Sequence, residues 1–478
     1  MTTLSADQHA RVLSSLAAAH AELASRYPGE SGKRQPVHTV YGGGHLFTAD
    51  TAQKLGVLAR KALAEHAPDP FTFARAFGLR GAESLPSSVD DTRRALEALA
   101  GDEAAVAKAA PAMHLAYTVY RRVQSKLERE PVEDFRIDFE DGYGTRPDAE
   151  EDHHVALAAK EVAAGGKKKT LPPFIGIRVK PFSKELTARS ARTLDLFLST
   201  LVAETGGALP EGFVVTFPKI QHVDQVTAFV SLLDALEDKL GLRRGAVPME
   251  IMVEQTQTLL GPDGRAALPL IHEAAKGRLF GAHFGTYDYT ASCSITAAHQ
   301  HMAHPACDFA KHMMQVAFAG TGVMLSDGAT NVMPVGPHKG DTLTRHQLEE
   351  NRDAIHRAWR LHASHVRHSL ETAFYQGWDL HPAQLPTRYA AVFSFFLESK
   401  DAATERLRNF VDKAAQATLV GDVFDDAATG QGLLNFFLRG LSCGALTQQE
   451  ALATGLTLEE LQSKSFVRIL ENRKGARR

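Results

Sequence analysis

Carboxylates stand at the ends of apolar runs in this sequence. Met249-Glu250-Ile251-Met252-Val253 closes on Glu254, and the run from Leu279 to Gly285 leads through Thr286 and Tyr287 to Asp288. A turn signal, Gly261-Pro262-Asp263-Gly264, and a helical pattern over Ala267 to Ala275 lie between them, which reads as strand, helix, strand. If the two strands are parallel neighbours, both acids emerge at the same end of a sheet. Two hard oxygen ligands facing one space suit Mg²⁺, with waters and substrate oxygens completing the octahedron. Each acid could equally cap the next helix or form a salt bridge.

A third run, Phe135-Arg136-Ile137-Asp138-Phe139, ends in Glu140-Asp141-Gly142. Three acids in four positions beside a buried-looking strand require a compensating cation, either a metal or an arginine. Two cations follow the same placement rule. Arg178 sits inside the apolar run Phe174 to Pro181, where an unpaired guanidinium would be costly, so it must meet a carboxylate of the protein or of a substrate. Lys219 follows Gly212 to Pro218.

Other groups are less committed. Gly42-Gly43-Gly44 after a strand could bring backbone N–H groups to an anion, or form a tight turn. His299, His301 and His304 near Cys307 could be read as a zinc set, although structural zinc sites usually pair ligands from two elements. Lys167 to Lys169 read as a solvated loop closing a helix.

The elements that position these residues count to eight. Strand candidates lie near residues 38, 136, 176, 214, 251, 281, 324 and 379, with helical patterns between them. Eight βα units predict an α/β fold, a (β/α)₈ TIM barrel, and the polar residues fall at the strand C-terminal ends where such barrels carry their sites. A doubly wound open sheet is the alternative, but no GxGxxG follows the first strand. The expected organisation is an N-terminal helical segment over 1–36, a barrel over 37–386 with a helical insertion at 68–130, and a C-terminal helical domain over 387–478 leaning on the barrel mouth. Within these, an amphipathic helix is predicted over 5–27 with Leu13, Leu16, Ala17 and His20 on one side. Asp90 is expected as an N-cap, one long helix over 104–127, a loop over 421–429, and a capping box at Thr447 and Glu450.

Composition narrows the function classes. The 478 residues are 44% hydrophobic and 23% charged, an ordinary soluble balance. A net charge of −3 gives no electrostatic case for nucleic acid. Cys293, Cys307 and Cys443 form no CxxC, which predicts a reducing, cytoplasmic setting. The first residues carry no signal-peptide pattern, and no apolar run approaches the ~20 residues of a membrane span.

Taken in order, these motifs resemble those of the superfamily of citrate lyase beta subunits, HpcH/HpaI-type aldolases and malate synthases. Asp138-Phe139-Glu140-Asp141 is similar to its acidic strand end, Phe217-Pro218-Lys219 to its Pro-Lys strand, and His381-Pro382-Ala383-Gln384 to its His-Pro-x-Gln segment. Tyr287-Asp288-Tyr289 resembles the Trp-Asp-Tyr of malate synthase, and Asp425-Asp426-Ala427-Ala428-Thr429 its Glu-Asp-Ala-Ala-Thr. Ile177-Arg178-Val179-Lys180-Pro181 departs from the Arg-Pro-Arg type, and the 68–130 insertion has no counterpart.

The resemblance implies a Mg²⁺-dependent carbon–carbon lyase or synthase acting on a 2-oxo acid such as glyoxylate, pyruvate or oxaloacetate through an enolate. Glu254 and Asp288 would be the metal ligands, with Mn²⁺ as the alternative ion. Glu140, Asp141 and Lys219 would support them, and Arg178 would bind substrate and stabilise developing charge. Gly285, Thr286 and Tyr287 would also line the substrate site, and Asp426 would be the catalytic base. Whether a coenzyme A thioester is co-substrate stays open, as does a homo-oligomer. The alternatives are an acyl-CoA lyase of the citrate lyase beta or malyl-CoA type and a non-catalytic barrel that binds an oxo acid.

Overall fold

The apolar runs close into a barrel of eight parallel strands in sequence order, β1 pairing with β8. The strands are β1 (His38–Gly43), β2 (Asp134–Asp138), β3 (Phe174–Arg178), β4 (Phe213–Phe217), β5 (Met249–Val253), β6 (Leu279–Phe284), β7 (Met324–Ala329) and β8 (Gln376–Asp379). The computed structural model describes residues 3–29, 33–412, 418–420, 423–425, 427–463 and 465–476. The predicted TIM barrel is the observed architecture.

Strand alternation explains the barrel. Phe135, Ile137, Ile175, Ile177, Val215, Ile251, Val253, Ala282 and Phe284 belong to the buried apolar core. The alternate positions fill the interior with polar side chains in place of the usual branched aliphatics. Thr39 donates to Asp134 (2.8 Å) and Gln376 donates to Thr39 (2.9 Å). Above them, Arg136 reaches across from β2 to β5, with Nε and Nη2 each 2.8 Å from an oxygen of Glu250, while Nη1 binds Asp134.

The helices before the barrel closes are α1 (Ala6–Arg26), α2 (Thr51–His66), α3 (Pro70–Phe77), α4 (Val89–Gly101), α5 (Glu103–Ala109), α6 (Pro111–Arg129), α7 (Asp148–Lys168), α8 (Thr187–Thr205), α9 (Val223–Leu240), α10 (Thr256–Leu259), α11 (Ala267–Ala274), α12 (Thr286–Ser292), α13 (Pro305–Phe318) and α14 (Arg345–Glu371). After β8 come α15 (Leu385–Asp412), a hairpin of β9 (Thr418–Val420) and β10 (Val423–Asp425), then α16 (Ala427–Ser442), α17 (Gln448–Leu452), α18 (Leu458–Ser463) and α19 (Phe466–Ala476). No described helix is long and apolar enough to cross a membrane.

Several local expectations are corrected. Ser88, not Asp90, caps α4 through its hydroxyl to the Asp91 N–H. The expected 104–127 helix breaks at Ala110, because Pro111 cannot donate the bond that continuity requires. Helix α7 runs through Gly165 and Gly166 to Lys168, since Leu171 packs where a Cβ at Gly165 would lie. Part of the expected 421–429 loop is strand β10 and the start of α16. The Thr447–Glu450 capping box forms as predicted.

The C-terminal helices do not lean on the mouth. From the mouth end of β8, α15 runs down the barrel until Phe396 meets Tyr375, the residue before β8. There Arg439 of α16 lies over the Tyr375 ring at 4.9 Å and donates to Gln35, just ahead of β1. The contact is therefore at the N-terminal end of the strands, where α16 finds the apolar Tyr375–Phe396 surface.

Candidate active site at the barrel mouth

The site begins where β2 ends. Asp138 accepts the backbone N–H groups of Glu140 (3.0 Å) and Gly142 (2.7 Å), turning the chain sharply. A Cβ at Gly142 would lie 2.6 Å from an Asp138 oxygen, so this turn requires glycine. Asp138 is register partner of Arg178, the last residue of β3. Arg178 donates to both Asp138 oxygens, from Nε at 2.7 Å and Nη2 at 2.5 Å. Burial works to raise the Asp138 carboxyl, but Arg178 and the two N–H groups overcome it and hold it below its ordinary value.

The structure thus answers the question posed by Arg178 with a carboxylate of the protein itself. The remaining nitrogen, Nη1, forms an ion pair with Glu140 Oε2 at 3.0 Å. The guanidinium stacks 4.9 Å from the Tyr41 ring, whose hydroxyl meets His283 Nδ1 at 3.1 Å.

Lys219, two residues past β4, takes a left-handed backbone (φ 49°). A non-glycine residue there stores strain, and the surroundings show what holds it. Its backbone N–H donates to Glu254 Oε1 (2.8 Å). Its ammonium donates to Glu140 (2.6 Å) and Asp141 (3.0 Å) and sits 3.6 Å from Asp288. One lysine therefore gathers four carboxylates from three strand ends.

Glu254 follows β5 and is 1% exposed. Gly285, which follows β6, makes room for it: a Cβ there would lie 2.5 Å from the Glu254 Cβ. Burial first, and then the Glu140 carboxylate, push the Glu254 carboxyl up to about 8; Lys219 opposes the shift and Asp288 adds to it. Glu140 is raised as well, mainly by burial. Its Oε2 is buried and accepts no hydrogen bond. Asp288 sits in the first turn of α12 rather than at the strand end, with its side chain partly exposed.

The neighbouring predicted residues have structural partners. Tyr287 donates to the Ala329 carbonyl (2.8 Å) and accepts from the Asn331 N–H (3.0 Å), pinning α12 to the end of β7. Thr286 is buried, and its hydroxyl has no hydrogen-bond partner among the described residues. His381 caps the turn Pro382–Gln384, and Gln384 donates to the Thr330 carbonyl (3.0 Å). Gly43 and Gly44 pack against Gly142 and Phe139, and a cavity of about 300 Å³ opens beside the β1 glycines, Lys54 and Leu380. His304 caps α13, His301 stacks on His365, and Cys307 is a buried thiol pushed up to about 12 by burial. Asp426 lies outside the described residues.

Sequence reasoning missed Tyr41, His283 and the Arg136–Glu250 pair as the layer beneath the site. The signal was parity: Glu250, in β5, and Glu254, just past its end, are four positions apart, two periods of strand alternation.

Among the described residues no three His, Cys, Asp or Glu side chains form a ready-made metal cage. The donor set nevertheless fits Mg²⁺, which takes one or two carboxylates and keeps water on its other positions. Five acids, Asp138, Glu140, Asp141, Glu254 and Asp288, meet two cations, Arg178 and Lys219, which leaves hard oxygen donors in excess of the cations among the described residues.

Several solved structures are similar to this chain. A citrate lyase from Burkholderia xenovorans is 20% identical, with a TM-score of 0.50 over 71% of this chain and 93% of its own. A Haloferax volcanii malate synthase in a magnesium/glyoxylate complex is 16% identical, with a TM-score of 0.42 over 74% and 92%. A Mycobacterium tuberculosis citrate lyase beta subunit complexed with oxaloacetate and magnesium is 14% identical, with a TM-score of 0.34 over 57% and 93%. At 20% identity the first of these likenesses is one of fold alone. Comparison with curated proteins found no match. One sequence family matches residues 16–469, nearly the whole chain, and this protein belongs to it: the family described as a domain of unknown function, DUF6986.

Proposed function

We propose that this protein makes or breaks a carbon–carbon bond on a 2-oxo acid through an enolate, with Mg²⁺ held by Glu254 and Asp288. The carrying observation is the convergence of Glu140, Asp141, Glu254 and Asp288 on Lys219 at the barrel mouth. Four acids around one lysine, three of them at its ammonium and Glu254 at its backbone N–H, with Glu140 and Glu254 buried, favour a further cation. Bound there, Mg²⁺ supplies Lewis acidity toward the carboxylate and keto oxygens of the substrate.

The chain's own groups do the rest. Lys219, itself held by Glu140, positions the ligand carboxylates. Arg178, clamped by Asp138, presents Nη1 toward oxygen charge that develops in the reaction. Glyoxylate, pyruvate and oxaloacetate are the candidate substrates, in a cytoplasmic setting. A screen of these acids with Mg²⁺, with and without acetyl-CoA, tests the proposal and decides whether a thioester supplies the enolate. Turnover that persists undiminished in EDTA sinks it.

Asp426 is the proposed base, on its sequence motif alone. Asp426→Asn is expected to keep its fold and Mg²⁺ affinity, because Asn caps a helix nearly as well as Asp. It should lose ~10²–10⁴ in the exchange of the substrate's acidic proton with solvent deuterium. Exchange at the wild-type rate would place the base elsewhere.

A further inference from the structure

Helix α1 is a complete helix whose length no other described residue covers. Ser5 and Gln8 form a capping box at its start. At its other end, the Tyr27 side chain lies against Gly320, Gly29 donates to the Gly320 carbonyl (2.8 Å), and Arg26 approaches Glu273 at 3.9 Å. Between these points every described side chain is exposed. The exposed residues include Val12 (70%), Leu13 (55%), Leu16 (44%), Leu23 (54%) and Tyr27 (46%). A helix of 21 residues with no tertiary packing is marginal in water, and this apolar content makes solvent a poor neighbour.

The spacing says what covers it. His9, Leu13, Leu16, His20, Leu23 and Tyr27 follow one another at alternating steps of four and three, the 3.5-residue repeat of a coiled-coil seam. Ala10, Ala17 and Ala24 recur every seven residues along one flank of that seam. The four charged residues, Asp7, Arg11, Glu22 and Arg26, all fall outside the seam and the alanine flank. Two acids and two bases cancel, so the polar face has no attraction for an anionic lipid surface, which favours a basic one.

We infer that α1 pairs with α1 of a second copy of this chain, antiparallel and two-fold symmetric. In that arrangement Leu13 packs on Leu23 of the second copy, Leu16 on His20, and His9 on Tyr27. Ala17 meets its own counterpart at the dyad, and the small flank lets the helices approach closely. Parallel pairing would instead set each histidine against itself and align the helix dipoles unfavourably. The contact is isologous, so it closes as a dimer. Its buried area is on the order of 1,000 Å², at the lower end of specific interfaces, so the dimer dissociates on dilution.

Sedimentation equilibrium on the full chain tests this. The wild type should move from 51.9 kDa toward twice that mass as concentration rises through the micromolar range. Leu16→Glu, at an exposed position that the monomer does not need, should halve the mass reached at high concentration. Two cysteine variants locate the dyad: with copper-phenanthroline as oxidant, Ala17→Cys should form a disulfide-linked dimer, while Ala18→Cys, on the opposite face, and the wild type should not. A wild type that stays monomeric overturns the inference, as does a dimer unaffected by Leu16→Glu or equal crosslinking at 17 and 18. A monomer that binds anionic vesicles through α1 overturns it in favour of a membrane.

Discussion

Glu250, in β5, and Glu254, just past its end, are four positions apart, two periods of strand alternation, and both are buried. Their chemistry is opposite. Glu250 receives two bonds from Arg136, one from Thr216, and lies 3.2 Å from His283. Burial would raise its carboxyl, but Arg136 and His283 hold it far below its ordinary value. Glu254 receives one backbone N–H and faces Glu140 and Asp288, and its carboxyl is driven up. Burial alone therefore does not distinguish a structural acid from a functional one; the balance of partners does. The lower layer is closed on itself, while the upper layer has donors to spare.

The largest effect should come from interchanging the two roles. Glu250→Gln leaves the Arg136 guanidinium partly unpaired in the interior, so we expect a loss of about 3–5 kcal/mol in urea unfolding, with Mg²⁺ affinity retained in whatever folds. Glu254→Gln removes a charge that is already disfavoured, so stability should change by less than about 1 kcal/mol. Its Mg²⁺ affinity, read by calorimetry, should collapse, and Asp288→Asn should behave in the same way. If Glu254→Gln unfolds and Glu250→Gln does not, the two layers have been assigned the wrong way round.

Arg178 belongs to both layers, which makes Arg178→Lys an intermediate case. Lysine keeps a charge near Asp138 but cannot make the paired Nε and Nη2 bonds or present Nη1 beyond them. We expect turnover to fall on the order of 10²-fold, with Mg²⁺ binding kept and a stability loss of about 1–2 kcal/mol. Near-normal turnover with the same stability loss would make Arg178 an ion-pair partner alone.

The barrel was readable because strand length, parity and connecting helices repeat eight times, and each repeat constrains the next. The mouth was readable in part, since acids and cations at strand ends are visible as breaks in apolar runs. Asp288 was placed at a strand end and lies in a helix, because Gly285 stops β6 short and the Thr286–Ser292 turn begins at once. The pairing of Arg178 with Asp138 was left between two partners, since register across strands is not written in either strand alone. The docking of α16 was misjudged for a like reason: nothing in its sequence says which end of the barrel offers Tyr375 and Phe396.

The smallest effect is a slope. In EDTA, the folded protein keeps a proton on Glu254 up to about pH 8, whereas the unfolded chain releases it near 4.5. Between those values the folded state binds more protons, so stability should fall as pH rises, by up to about 1.4 kcal/mol per pH unit. Glu140 shares the site and is also raised, so the two titrate together, and Glu254→Gln should remove much of the slope rather than all of it. Glu250 works in the other direction and in another window: its carboxyl is depressed, so its contribution is present above the ordinary glutamate value and lost as pH falls below it. Urea unfolding of the metal-free wild type beside Glu254→Gln between pH 5 and 8 isolates the mouth acid, because the histidines whose pKa values the fold lowers, His362 and His365 among them, titrate in both proteins. Adding Mg²⁺ should abolish the fall, since the cation holds the carboxylate form. Wild-type and Glu254→Gln profiles that run parallel in EDTA across that range would mean that Lys219 and Arg178 already balance the mouth, and that the excess of acid on which the metal assignment stands does not exist.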